Sequence, residues 1–104
     1  MRLRVSSPGQ DFSQEDVDQV ERDLEKLDRR LKDFKQEVIA DVRISNGSGA
    51  PKHHVVIELN YGRNHLVAKA DHNDWGQAVR GAREDLLRQI NDRSRGGHSS
   101  QAKQ

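Results

Sequence analysis

The sequence predicts an α+β domain with the element order β-α-β-β-β-α: a two-layer sandwich in which a four-stranded mixed sheet carries two helices packed on one face. Three observations predict it. Apolar residues recur with a helical period twice, at Val17, Val20, Leu24, Leu27, Leu31 and Phe34, and again at Trp75, Val79, Ala82, Leu86 and Ile90. Short stretches before and between them alternate apolar with polar, as half-buried strands do. Finally, Tyr61-Gly62-Arg63-Asn64 is a Gly-bearing link short enough to fold two of those stretches into an antiparallel hairpin.

Arg2 to Ser6 places Leu3 and Val5 on one side and Arg2 and Arg4 on the other, a short half-buried strand. Pro8-Gly9 is a turn signal that ends it. One helix is then expected from Phe12 to Phe34. Its six apolar positions recur at spacings of 3, 4, 3, 4 and 3, which falls on one narrow face. Ser13 is suited to cap its start, with Asp16 reaching back to complete a capping box and Phe12 and Val17 placed as a hydrophobic staple. A seam this narrow also suits a coiled coil, but three heptads or fewer favour packing against a sheet.

Glu37 to Ser45 is expected as the second strand, with Val38, Ala40, Val42 and Ile44 sharing one face and Ile39 the exception on the other. Asn46 to Pro51 is a loop by composition. The third strand runs from His53 to Asn60, with Val55, Ile57 and Leu59 inward. The fourth runs from His65 to Ala70, with Leu66, Ala68 and Ala70 inward. Asp71 to Asp74 offers several caps for a second helix, whose apolar positions from Trp75 to Ile90 again lie on one face. A helical crossover makes the first two strands parallel, and the short links make the last three an antiparallel meander. Residues 1–93 form the domain, and residues 94–104, which offer no apolar period, form a disordered tail.

The chain has 104 residues, of which 32% are hydrophobic and 34% charged, so it holds one modest core under a densely charged surface. With no cysteine, disulfides and thiolate metal sites are excluded and a reducing cytoplasm is compatible. No apolar run approaches the roughly 18 residues of a membrane span, and no signal-peptide pattern follows Met1. The net charge of +1 conceals an uneven distribution. Ser13 to Lys35 holds eight acids and six bases, whereas Arg43 to Gln104 holds ten bases and six acids.

No catalytic constellation is present, so an enzyme is not expected, nor a cofactor or a small-molecule substrate. The five histidines do not make a metal site. His53 and His54 are adjacent on a strand and point to opposite faces. His54 and His65 have room to meet on the open face of the hairpin, but without a third ligand at recognisable spacing, so a metal is not expected there. Binding remains. Arg22, Lys26 and Arg29 line one flank of the first helix with Arg30 beside them, while Glu21, Glu25 and Asp28 line the other. A basic stripe that tolerates its own repulsion hints at an anionic partner.

With the elements placed, three motifs carry a resemblance: Leu24-Glu25-Lys26-Leu27-Asp28, Asp74-Trp75-Gly76-Gln77-Ala78-Val79 and Leu86-Leu87-Arg88-Gln89-Ile90. The sequence resembles the ribosome hibernation-promoting factor and ribosome-associated inhibitor family, also called sigma-54 modulation proteins, in its short form. The resemblance implies a cytoplasmic stress factor that docks on the small ribosomal subunit, contacts 16S rRNA in the decoding channel and inhibits translation. Lys26 and Arg88 match basic positions of the family. Arg22, Arg29, Arg80, Arg83 and Arg93 join the expected RNA-binding set by helical proximity. Asp23, Asp85 and Asp92 stand where the family usually carries a base, and Gly76 where it has an aromatic residue. Two alternatives accompany this reading. The final α-β-β-β-α order also resembles a double-stranded-RNA-binding domain, although that domain needs lysines where this last helix begins with acids. A family fold could instead bind a protein, including weak self-association, through the open sheet face or the acidic flank.

Overall fold

β1 (Arg2–Ser6), α1 (Gln14–Asp23), α2 (Glu25–Arg30), β2 (Val38–Asn46), β3 (His53–Tyr61), β4 (Asn64–His72) and α3 (Trp75–Ser94) follow one another in the computed structural model, which describes residues 1–7, 12–47 and 49–94. The sheet has the order β1-β2-β3-β4, with β1 parallel to β2 and the other neighbours antiparallel. This is the α+β sandwich that the periodicities predict. The alternation of each strand is visible in its burial: Val38, Ala40, Val42 and Ile44 are buried, as are Val55, Ile57 and Leu59, and Leu66 and Ala68. They meet Val20, Leu24, Leu27, Val79, Ala82, Leu86 and Ile90 from the helices in one contiguous core. Ile39, the exception, lies on the opposite face in register with Arg2 and Asn60.

The first helix starts as expected. Ser13 Oγ accepts from Asp16 N at 3.2 Å, and Ser13 N donates to Asp16 Oδ2 at 3.2 Å, which closes the capping box. Phe12 tilts against the Trp75 ring, with centroids 5.1 Å apart. The expectation of one helix from Phe12 to Phe34 is corrected. The helix breaks at Leu24 (φ −96°, ψ 6°) and ends at Arg30. At the break Leu27 N donates to Leu24 O at 2.9 Å, and the carbonyl of Asp23 accepts from Arg83 Nη1 of α3 at 3.0 Å. A guanidinium from another element thus takes a carbonyl that a continuous helix would bond internally, so the Asp23 carbonyl is not orphaned by the break. The apolar face survives because Val20, Leu24 and Leu27 stay fully buried on either side of it. Phe34 lies beyond the helix, edge-on to Tyr61 with ring centroids 5.2 Å apart.

The hairpin is tighter than the apolar pattern suggests. Tyr61 pairs with Asn64, leaving Gly62 and Arg63 as the turn, and Gly62 takes the positive φ of 63° that such turns require. At its other end β4 continues through Asp71 and His72, beyond the expected Ala70. Backbone pairing with His54 and His53 carries it, and pairing needs no apolar side chain. Asp74 therefore caps α3, its carboxylate accepting from Gly76 N at 3.1 Å.

The expected Pro8-Gly9 turn lies outside the described residues, as does residue 95 onward of the expected tail. Ser94, placed with the tail by its composition, closes α3 instead, and its hydroxyl donates to Ile90 O at 3.0 Å. A chain ending at Ser94 is expected to unfold at the full chain's midpoint, because it keeps the whole core found among the described residues. Thermal melting of the two chains checks this, and a clear loss of stability would mean that the segment docks.

Candidate functional site

α1 and α2 run beside α3 in the same direction. Phe12 meets Trp75 at one end, Asp23 meets Arg80 and Arg83 in the middle, and Arg30 meets Asn91 and Ser94 at the other end. The helical layer therefore presents one surface on which bases from both segments mingle, as the RNA-binding expectation requires. The charges on that surface fall into three groups.

Arg80 and Arg83 belong to the joint between the helices. Asp23, with a side chain only 10% exposed, accepts from Gln19 Nε2 at 3.0 Å and from Arg80 Nη1 at 3.4 Å. Arg80 lies back over Gly76, where an added β-carbon would sit 3.4 Å from its guanidinium. Arg83 is 14% exposed and spans from the Asp23 carbonyl to Glu84, its Nε and Nη2 lying 2.8 and 2.7 Å from Glu84 Oε2. The placement of Arg83 on a solvated RNA-facing surface is thus corrected, and Arg80 is engaged in the same joint. The reason is arginine's reach: its stem lies along the neighbouring helix and its fork finds a carbonyl or carboxylate there.

Lys26 and Arg88 are solvent-facing as expected, at 56% and 70% side-chain exposure. Each has an acid beside it: Lys26 Nζ lies 3.8 Å from Glu84, and Arg88 pairs with Asp85. Exposed pairs of this kind contribute about 0–1 kcal/mol and yield readily to a competing anion.

Arg22, Arg29 and Arg93 form the third group. Arg22 donates to the neutral Gln19 Oε1 at 2.9 Å rather than to Asp18, which accepts from Gln14. Arg29 is exposed and makes no ion pair among the described residues. Arg93 donates to Asn64 Oδ1 at 3.2 Å. Arg30, which periodicity places only beside the stripe, has a similar setting, with Nε on Asn91 Oδ1 at 3.0 Å and Nη2 on Ser94 Oγ at 2.7 Å. Arg30 and Arg93 flank Tyr61. Burial raises the Tyr61 pKa above its usual value, and the positive charges of Arg93 and Arg30 oppose that rise. The sequence held a signal for Arg93 but none for its joining Arg30, since the two are far apart in the chain.

On the opposite face of the sheet the meeting of His54 and His65 that the hairpin leaves room for does not occur. His54 pairs with Asp71 and His65 with Asn60, six residues apart along β4, or about 20 Å. His54 Nδ1 instead lies 2.7 Å from Asp71 Oδ1.

This combination of one mixed sheet, one helical layer and surface bases can be compared with known proteins. The family described as sigma 54 modulation protein / S30EA ribosomal protein matches residues 3–95. The chain belongs to that family. The resemblance drawn from the three sequence motifs is thereby borne out, and the match runs from β1 to the end of α3. Among solved structures, the Thermus thermophilus Protein Y N-terminal domain superposes with a TM-score of 0.71 at 22% identity, covering 86% of this chain and 96% of that one. A ribosomal subunit interface protein from Coxiella burnetii gives a TM-score of 0.73 at 17% identity, covering 90% of this chain and 98% of that one. At such identities the likeness is one of fold. No curated protein sequence matches the chain.

Within the family frame, the three acids noted in the sequence differ in kind. Asp23 is a nearly buried anchor of the helix joint, Asp85 is a half-buried partner of Arg88 and Gln89, and Asp92 is exposed. Only Asp92 is a simple exchange of surface charge.

Proposed function

We propose that the protein is a ribosome-associated factor that docks on the small ribosomal subunit, contacts 16S rRNA in the decoding channel and inhibits translation under stress. The observation that carries this reading is the family match over residues 3–95, from β1 to the end of α3. One structural neighbour is itself a ribosomal subunit interface protein. Physically, the helical layer supports it through bases that the core does not need: Lys26, Arg88, Arg22 and Arg29 are exposed, and their stabilising contacts are weak enough to exchange for phosphates. Arg80 and Arg83 serve such a surface indirectly, by holding α1 beside α3. The domain that docks is residues 1–94, the expected 1–93 extended by Ser94, acting in the cytoplasm without cofactor or catalysis. No helix among the described residues is long and apolar enough to cross a membrane.

Pelleting with purified small subunits across a salt series tests the proposal. The protein is expected to pellet at low salt and to be released steeply as salt rises. K26E/R88E reverses two exposed charges, and loss of each phosphate contact lowers the log–log salt slope by about 0.7–0.9. The sucrose-gradient position of tagged protein from growing and starved cells reads the same association in the cell. Failure of the wild-type protein to pellet at low salt would remove the ribosome as partner and favour a protein partner on the open sheet face, whose apolar contacts would be insensitive to salt.

A further inference from the structure

Three elements converge at one end of the molecule: the C-terminal end of α2, the C-terminal end of α3 and the β3–β4 turn. Between them lies an open groove of about 390 Å³ lined by residues that include Arg30, Asp33, Tyr61, Asn64, Arg93 and Ser94. Its two arginines differ from those of the helix joint in one respect. Arg80 and Arg83 are met by carboxylates, whereas the recorded partners of Arg30 and Arg93 are an amide oxygen of Asn91, the Ser94 hydroxyl and an amide oxygen of Asn64. Neutral acceptors orient a guanidinium without cancelling its charge. Nη1 of Arg30 and both Nε and Nη2 of Arg93 have no hydrogen-bond partner among the described residues, so each fork keeps a donor for a ligand.

From this geometry we infer a second RNA contact, resting on the ribosome reading above: Arg30 and Arg93 together grip a backbone phosphate of single-stranded RNA in the groove. Guanidinium forks suit phosphate oxygens, and two preoriented ones converge here. The balance of charge favours an anion. Asp33 lines the groove and Asp92 neighbours Arg93 in α3, but the lining holds two arginines against that one carboxylate, and Arg29, Lys32 and Arg63 are further exposed bases, the first two near Arg30 in sequence and the third in the hairpin turn. The helix C-termini oppose an anion with about half a charge each, less than the full charges of the arginines they hold. Exposed bases outside the groove lining fit a polyanionic chain better than a lone small anion. Tyr61 is only 6% exposed and offers no face for stacking, so the contact is to backbone and carries no base readout.

The test uses the full chain and two hexaribonucleotides, oligouridylate and oligoadenylate, titrated at low salt while the Asn64 side-chain amide and the Tyr61 ring are followed by NMR. Both hexamers are expected to move these resonances, with affinities within about threefold of each other. R30Q/R93Q is expected to weaken binding at least tenfold and to lower the salt slope by about 0.7, one single-strand phosphate increment. R30K/R93K is expected to recover part of the affinity. Because Arg30 also ties α2 to α3, R93Q alone serves if the double variant melts early. Among the described residues Arg93 hydrogen-bonds to Asn64 alone, and its loss is expected to weaken binding without changing the melting midpoint. Shifts confined to the Lys26 and Arg88 surface, or unaltered binding by R93Q, would overturn the groove. A strong preference for one hexamer would overturn its backbone-only character. Pelleting of the same variants with small subunits separates this inference from the one beneath it. Wild type that pellets but leaves the groove resonances unmoved by RNA sinks the groove alone. Hexamer binding in the groove without pelleting sinks the ribosome reading and keeps the groove.

Discussion

Leu27→Ala is expected to lower the unfolding free energy by about 2–5 kcal/mol, the range for truncating a fully buried leucine. Leu27 is 0% exposed and lies in the same cluster as Leu24, Val42, Ile57, Val79 and Leu86, so the lost side chain leaves a cavity bounded by both layers. Relaxation into that cavity is restrained because α2 is held at both ends. Arg83 bonds the Asp23 carbonyl just before it, and Arg30, its last residue, bonds Asn91 and Ser94. Small domains have only about 5–15 kcal/mol of stability in total, so this change alone removes a large part. Urea unfolding checks it. A midpoint equal to wild type would take Leu27 out of the core and discredit the packing of α2 on the sheet.

Asp23→Lys is the second large effect, and its sign differs from what the sequence suggests. Placing at position 23 the base that the family resemblance led one to expect looks like a gain of phosphate attraction. The structure turns it into a loss of about 2–4 kcal/mol of stability, somewhat below the range for breaking a buried pair because Arg80 is a third exposed. The new ammonium would face the Arg80 guanidinium across the helix joint, and Gln19 would lose its acceptor. Asp92→Lys, on an exposed turn, is the comparison: it is expected to leave the melting midpoint unchanged and to tighten subunit binding at low salt. Thermal melts and pelleting of the two variants, run side by side, separate charge from structure. Should Asp23→Lys melt like wild type and bind more tightly, the joint contributes little and the Asp23 position is an ordinary surface site.

Most of the fold was legible because its determinants are local. The period of Val20, Leu24 and Leu27 and the alternation of Val55, Ile57 and Leu59 each describe an element that must hide one face, and a single sheet with helices on one side satisfies them all. The break at Leu24 was not legible, because the apolar period passes through it unchanged. What permits it is the Arg83 fork, which arrives from a residue sixty positions away. The extra length of β4 was missed for a related reason: Asp71 and His72 pair through their backbones, and backbone pairing leaves no mark in an apolar pattern.

The candidate site divides in the same way. Lys26 and Arg88 could be placed on solvent from sequence alone, because their positions lie opposite the apolar faces of their helices. Apart from the break at Leu24 and the ends of β4, the sequence by itself determined the type and order of the elements, the buried faces, the family and this exposed pair. Only the tertiary structure decided which charges cancel. Asp23 meets Arg80 across 57 positions of sequence, and Arg30 joins Arg93 only because α2, α3 and the β3–β4 turn end together. Periodicity states which side of an element is wet. It cannot state which long side chain from another element will lie along that surface, since this depends on how far one helix is shifted along its neighbour, and the packing of the shared core sets that shift.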